Sequence, residues 1–349
     1  MRNKGFSEEV AKQVTGAIKP DSQKVYENKW KLYNEWCLLN NIDPLHISEP
    51  NFADFMLYLF QKKSLATPTI KGYRSALAGA LRYTTDFDIS SSSILSDLIR
   101  SFEKERPPGK RGFPKWELRI VLNSLTEPPY EPLVEADLKW LTFKTVFLLM
   151  LASGARRSEI HALDTKHITQ SNGWKYVTLK PNPKFLSKNF NYKSGTRNFE
   201  GFTIEALKHR VGMDMPKDAT LCPVRALKTY LAKTENLRAK ENSQLFVALN
   251  SKKPVARNSI SSWIKHTIKY AYENCTEDTQ TLLKVSAHEV RAIATSTAFY
   301  GNQAVEEILR SARWAHQTTF TTYYLRDVSQ DLQGIHRLGP VMVANQVLL

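Results

Sequence analysis

Four short segments of this chain carry side chains suited to phosphoryl chemistry. They are Gly154-Ala-Arg156-Arg157-Ser158-Glu159-Ile160, His288-Glu-Val-Arg291, Arg313-Trp314-Ala-His316, and Thr319-Phe320-Thr-Thr-Tyr323-Tyr324-Leu325-Arg326. Guanidinium forks neutralise and hydrogen-bond phosphate oxygens, and a histidine can move a proton. A tyrosine hydroxyl, with an ordinary pKa of about 10, becomes a nucleophile only where nearby cations stabilise phenolate and phosphoryl charge. In this order the pieces suit attack by a tyrosine on a DNA phosphodiester. Tyr323 and Tyr324 both qualify, but adjacent helical residues point about 100° apart, so one of the two faces the site.

The local patterns place these side chains. Ser286-Ala-His288-Glu289 fits a capping box, which puts His288 in the first helical turn and Arg291 at i+3 on the same face. A helix N-terminus already favours a phosphate. Arg156 and Arg157 follow an apolar run, and Glu159, three residues beyond Arg156, can hold it by a charge-assisted bond. A zinc pair fails at His288-Glu289, because the second histidine would fall at Ala292.

The elements around them read as mainly α. Residues 1–106 form a helical domain, with helices expected over Ser22–Asn40, Asn51–Lys62 and Ile70–Tyr83 and a start signal at Thr67-Pro68-Thr69. Lys71 and Arg74, with Arg82, decorate the third of these and are expected along a DNA backbone. Residues 107–114 form a basic Pro/Gly linker in which Lys110 and Arg111 are expected to touch a duplex. Residues 115–349 form a second, mixed domain, with helices over Trp116–Leu125, Leu138–Ser153, Val224–Ala239, Asn258–Asn274, Ala287–Tyr300 and Gln303–Ala312. Gly154 is expected to stop the second of these. Trp174–Leu179 reads as a strand, Pro181-Asn-Pro183 as its turn, and Phe185–Phe190 as the returning strand of a small hairpin.

Composition bounds the partner. The formal charge is +15, beyond the roughly 2–8 of an ordinary small domain, so a polyanion is expected. Residues 1–110 carry 16 basic and 13 acidic side chains, leaving 33 against 21 in the remainder. The phosphate-facing surface therefore belongs mostly to the second domain, where residues 175–199 hold six Lys/Arg and no acid. Lys180, Lys184 and Arg313 are expected DNA contacts there. Three cysteines far apart fit a reducing compartment. The run Trp140–Ala155 is too short to span a bilayer, and no secretory signal pattern is read. Neither a phosphate-binding Gly-Lys-Ser/Thr loop nor a carboxylate cluster occurs, in agreement with chemistry that keeps the phosphodiester energy in a covalent link and so requires no nucleotide, metal or other cofactor.

These motifs resemble those of the tyrosine recombinase/phage integrase family. The Gly154–Ile160 segment resembles its first arginine box, His288-x-x-Arg291 its second, Trp314 its His/Trp position, and Tyr324-Leu-Arg its nucleophile. Leu221-Cys-Pro-Val-Arg-Ala-Leu-Lys-Thr-Tyr230, Leu245-Phe-Val and Ser262-Trp-Ile resemble in particular the recombinases of eukaryotic Crypton and DIRS-like mobile elements. The resemblance implies a SAM-like core-binding domain, a linker and a catalytic domain. It implies cleavage of double-stranded DNA through a 3′-phosphotyrosine, with Tyr324 as nucleophile and Arg156 and Arg291 on the non-bridging oxygens. His288 would assist proton transfer, Trp314 would pack on the nucleophile helix, and Glu159 would position the first box. The family also uses a hairpin lysine, for which Lys188 fits and Lys180 and Lys184 are rivals. His316 competes with Trp314. A homotetramer on two DNA sites and a nuclear location are further implications. The apolar tail Gly339–Leu349 would dock on a neighbouring protomer or fold back on its own domain. Type IB topoisomerase-like strand relaxation and a non-catalytic, domesticated DNA-binding protein are the alternatives.

Overall fold

The computed structural model describes residues 7–16, 20–82, 84–107, 116–187, 190, 198–207, 219–238, 242–249, 254–273 and 286–326. The expected Lys110, Arg111 and Lys188, and the tail Gly339–Leu349, lie outside these residues. The chain divides into two compact units, Met1–Lys110 and Arg111–Leu349.

The first unit contains α1 (Glu8–Gly16), α2 (Pro20–Leu39), α3 (Glu49–Gln61), α4 (Thr67–Leu81) and α5 (Ser93–Glu105). Their starts are local chemistry. Ser48 Oγ accepts the Asn51 N–H at the head of α3, Ser92 Oγ accepts the Leu95 N–H at the head of α5, and Pro68 sits in the first turn of α4. Tyr33, Phe52, Phe55, Leu59, Ile70, Leu77, Ile99 and Phe102 meet in the core. Phe60 stacks on Phe102 with ring centroids 4.1 Å apart, and the Arg106 guanidinium covers the other side of Phe60.

The second unit contains α6 (Leu118–Ser124), α7 (Leu138–Ser153), α8 (Arg157–His161), β1 (Leu163–Gln170), β2 (Tyr176–Pro181), β3 (Phe202–Glu205), α9 (Pro223–Thr234), α10 (Arg257–Ala271), α11 (Ala287–Tyr300), α12 (Val305–Ala312) and α13 (Gln317–Tyr323). Helix α7 is apolar around its circumference and is therefore central, enclosed by α9, α10 and α11. Of its two charges, Lys139 is exposed in the first turn and Lys144 is fully buried. Lys144 Nζ donates to Glu131 Oε1 at 2.5 Å and to the Leu125 carbonyl at 2.6 Å, while Arg225 holds the same carboxylate through both Nη groups at 2.8 and 3.0 Å. Gly154 ends α7 at φ 55, as expected, and donates to the Met150 carbonyl.

The sheet differs from the expected hairpin. It has three antiparallel strands in the order β1-β2-β3. Val177 and Leu179 of β2 face the core opposite Ile204 and Phe202 of β3. The strand expected from Trp174 begins at Tyr176, because Trp174 sits at φ 57 in a 3-10 turn. Phe185–Phe190 is not a strand at its described positions. Phe185 instead packs edge-on against Phe199, and the partner of β2 on its other side is β1. Strand β1 has too weak an apolar alternation to announce itself; it is held by pairing, with a bulge between Leu163 and Ile168. At Gly201, φ is 110 and an added Cβ would lie 2.2 Å from the Leu179 carbonyl oxygen, so only glycine lets β3 approach β2 here.

Candidate active site

The turn after α7 sets the first arginine. Arg156 caps α8 in an extended conformation, and Glu159, three residues on, folds back onto it. Glu159 Oε2 accepts the Arg156 main-chain N–H at 2.8 Å, and Oε1 accepts Arg156 Nη1 at 2.8 Å. The carboxylate is 1 % exposed. Burial alone would raise its pKa, but Arg313 and Arg156 hold it below the ordinary carboxylate range.

Helix α11 supplies the next pair. Ser286 Oγ accepts the His288 N–H, and Glu289 Oε2 accepts the Ser286 N–H, which closes the expected capping box. Glu289 Oε2 also accepts the Trp116 indole N–H at 3.2 Å, tying the start of α11 to the chain ahead of α6. His288 is exposed in the first turn, whereas Arg291 points inward and is fully buried. Arg291 Nη1 donates to the Gly154 carbonyl at 2.6 Å and Nη2 donates to the Ala312 carbonyl. Arg291 is thus a strut between the end of α7 and the end of α12. Burial, and then Arg156, push its pKa down to about 9, with Glu159 and Tyr324 opposing.

Helix α12 ends at Arg313, whose φ of 56 turns the chain back. That turn sends Arg313 Nη2 to Glu159 Oε2 at 2.8 Å and places the Arg313 guanidinium 4.7 Å from the Phe199 ring centre. It also lays Trp314 beside Arg291, at 4.7 Å. Helix α13 then carries Phe320 into the core and ends at Tyr324. The Tyr324 ring centre lies 4.3 Å from Trp314 and 5.1 Å from His288, and Arg291 sits 5.4 Å over it. Ser296 Oγ, on α11, donates to the Tyr324 carbonyl at 3.3 Å and accepts the Arg326 N–H at 2.9 Å.

Arg156, Glu159, His288, Arg291, Trp314 and Tyr324 therefore converge from four stretches of chain. Tyr323, 53 % exposed, points away from the core that Tyr324 joins. Trp314 is 7 % exposed and on the tyrosine, whereas His316 is an exposed N-cap of α13. Arg313, expected only as a DNA contact, is a full member of the cluster. Its signal was adjacency to Trp314, but sequence could not show that it reaches Glu159. Lys180 and Lys184 are exposed, on β2 and on the turn after it. That turn is fixed by Asn182, whose Oδ1 accepts the Lys184 N–H at 3.0 Å. Asn198 closes the base of the next segment: its Oδ1 accepts the Ser187 N–H at 2.8 Å and its Nδ2 donates to the Phe185 carbonyl at 2.7 Å. In the first unit, Lys71 pairs with Glu103 at 2.7 Å on the surface. Arg74 is committed inward, with Nε on the Ile89 carbonyl, Nη2 on the Ser90 and Ser92 carbonyls and Nη1 on Ser96 Oγ.

Two guanidiniums, those of Arg156 and Arg313, hydrogen-bond the one carboxylate and that of Arg291 stands 4.0 Å from it, so the cluster carries an excess of two positive charges. Among the described residues, Arg291 Nε, Arg313 Nε and Trp314 Nε1 are buried donors without an acceptor. The centre can hold a tetrahedral oxyanion beside a tyrosine and a histidine. Among the described residues, no group of three His, Cys, Asp or Glu is placed to hold a metal ion, and no helix is long and apolar enough to cross a membrane.

No protein-family model matches the sequence, and no curated protein matches it either. Solved structures do match. A fragment of the Tn1549 transposon integrase, in complex with a circular intermediate DNA, is similar at TM-score 0.58 and 13% identity, over 97% of this chain and 97% of that one. The XerH site-specific recombinase bound to its difH substrate is similar at TM-score 0.51 and 16% identity, over 87% and 70%. A lambda integrase tetramer bound to a Holliday junction is similar at TM-score 0.51 and 12% identity, over 92% and 76%. The fold is thus that of the tyrosine recombinases, a mainly helical chain with a small three-stranded antiparallel sheet.

Proposed function

We propose that this chain is a site-specific DNA recombinase that cleaves and rejoins strands through a 3′-phosphotyrosine. One observation carries the reading: a half-buried tyrosine lies against a histidine, a tryptophan and a cluster of three arginines that has too little negative charge of its own. Tyr324 Oη attacks the scissile phosphorus and gives up its proton, with His288 assisting the transfer. The bond to the 5′-oxygen breaks, and that oxygen takes a proton from Lys188 and leaves as a free hydroxyl. Arg156 stands at the open edge of the cluster, and Arg291 adds a buried charge behind it. Both stabilise the charge that builds on the non-bridging oxygens, and loss of one such donor typically costs ~10²–10³ in rate. The phosphodiester energy is kept in the covalent link, so the step consumes no nucleotide. The likeness to recombinase structures solved on DNA substrates, one of them a tetramer on a Holliday junction, supports double-stranded DNA as the partner and assembly of four protomers. The affinity to Crypton and DIRS-like elements, and with it a nuclear location, rests on the sequence motifs.

The test is covalent trapping in EDTA on nicked duplexes of randomised sequence, comparing wild type with Tyr324→Phe and Tyr323→Phe. A detergent-resistant adduct, lost only in Tyr324→Phe and mapping to a phosphotyrosine at that position, is the expected result. An adduct lost only in Tyr323→Phe moves the nucleophile. Tight DNA binding with no adduct overturns the reading in favour of a non-catalytic DNA-binding protein.

A further inference from the structure

Arg313 occupies a costly position. A residue other than glycine held at φ 56 is disfavoured unless its side chain is put to use. Here that side chain reaches back to Glu159 Oε2 at 2.8 Å, the oxygen that also receives the Arg156 main-chain N–H. The same oxygen is 4.0 Å from Arg291 Nη1, just too far for a hydrogen bond. Glu159 is therefore engaged by the two arginines at the accessible edge, with side chains 15 % and 24 % exposed, and is kept off the fully buried one behind them.

We infer that Arg313 is a positioning residue that keeps the site cationic, by holding Glu159 away from Arg291 so that the cluster receives a phosphate. Without Arg313 the excess charge falls from two to one, and Glu159 Oε2 is free to close the 4.0 Å gap to Arg291. The carboxylate then competes directly with the incoming anion. Burial makes this competition strong, because charges at these separations are poorly screened. Burial first, then Arg156 and to a lesser extent Arg313, lower the pKa of Arg291, while Glu159 and Tyr324 oppose the fall. Arg313 also stacks on Phe199, next to the Asn198 clamp, so the segment entering β3 is braced against the same carboxylate. The inference rests on the reading that this cluster holds a phosphate, not on strand cleavage itself.

Calorimetric titration with inorganic phosphate, replacing chloride at constant ionic strength, tests it on the full chain. Four proteins are compared: wild type, Arg313→Gly, Arg313→Lys and the double variant Arg313→Gly/Glu159→Gln. Glycine suits the left-handed backbone, so Arg313→Gly removes the charge without straining the turn. Surface lysines contribute the same background to all four. Arg313→Gly is expected to bind phosphate at least about tenfold more weakly, the loss of a charge-assisted interaction. Arg313→Lys should restore most of the affinity. The double variant should also recover it, because Arg156 and Arg291 then face the anion with no competing carboxylate. Three results overturn the inference: Arg313→Gly within twofold of wild type, a double variant no tighter than Arg313→Gly, or wild type with no site beyond the shared background. Failure of the recombinase reading looks different, since the phosphate pattern then holds while trapping yields no adduct.

Discussion

The buried charge in α7 allows a stability experiment whose size follows from geometry. Lys144 is fully buried and satisfied by Glu131 and the Leu125 carbonyl, and burial lowers its pKa while Glu131 opposes the fall. Glu131→Ala leaves the ammonium with one neutral acceptor, while Arg225, 40 % exposed, turns to water at little cost. Removing one partner of a buried pair costs about 3–5 kcal/mol. A separate ceiling agrees: the lysine can escape by deprotonating, which at pH 7 costs about 4.6 kcal/mol against an ordinary pKa near 10.4. Lys144→Met, by contrast, removes the buried charge, fills similar volume and leaves Glu131 held by both Arg225 Nη groups, so it should cost less than about 1.5 kcal/mol. The sign with pH is also fixed. In Glu131→Ala the unfolded chain binds the Lys144 proton more tightly than the folded one, so stability rises with pH and the deficit shrinks as pH approaches about 10. Native-state hydrogen exchange of the Leu138–Ser153 amides reads this helix in the intact chain. A Glu131→Ala cost below about 1 kcal/mol, a Lys144→Met cost equal to it, or a deficit that grows with pH would each refute the reasoning.

Three further outcomes are expected. Gly201→Ala should break β2–β3 pairing and cost more than about 2 kcal/mol, because backbone meets the new Cβ at 2.2 Å; Gly154→Ala, whose nearest neighbour is Thr295 Cγ2 at 3.9 Å, should cost only about 1 kcal/mol of backbone strain, both read by denaturation. Arg74→Ala should destabilise the first unit by about 2–4 kcal/mol while leaving the salt dependence of DNA binding unchanged, since its guanidinium is spent on the 89–96 segment. Glu159 has a lowered folded pKa, so its stabilisation is present above the ordinary value of 4.5 and is lost as pH falls through the folded one; acid unfolding of Glu159→Gln should lack that component.

Local rules made much of this protein legible in one dimension. The capping box at Ser286, the Thr67-Pro68 start, the apolar circumference of α7 and its Gly154 stop are decided within a few residues, and the structure has each where the sequence puts it. The Arg156–Glu159 bond is equally local, spanning one helical turn. Strand β1 was not legible, because its pattern carries little apolar alternation and its stability comes from pairing with β2. The strand expected at Phe185 is absent at its described positions for the complementary reason: Phe185 serves a packing contact with Phe199 and not a ladder. The same limit holds in the site. Residue types and order nominate Arg156, His288, Arg291, Trp314 and Tyr324, but spacing alone cannot separate Tyr324 from Tyr323 or Trp314 from His316. In the structure it is the rings of Tyr324 and Trp314 that lie against Arg291. Nor can sequence show that Arg313 spans 154 positions to share Glu159 with Arg156, or that Arg74 turns inward. Short-range hydrogen bonds and periodicity are written in neighbouring residues. Which cations share a buried carboxylate is decided only when distant segments are packed together and water is excluded, and that is a property of the tertiary structure.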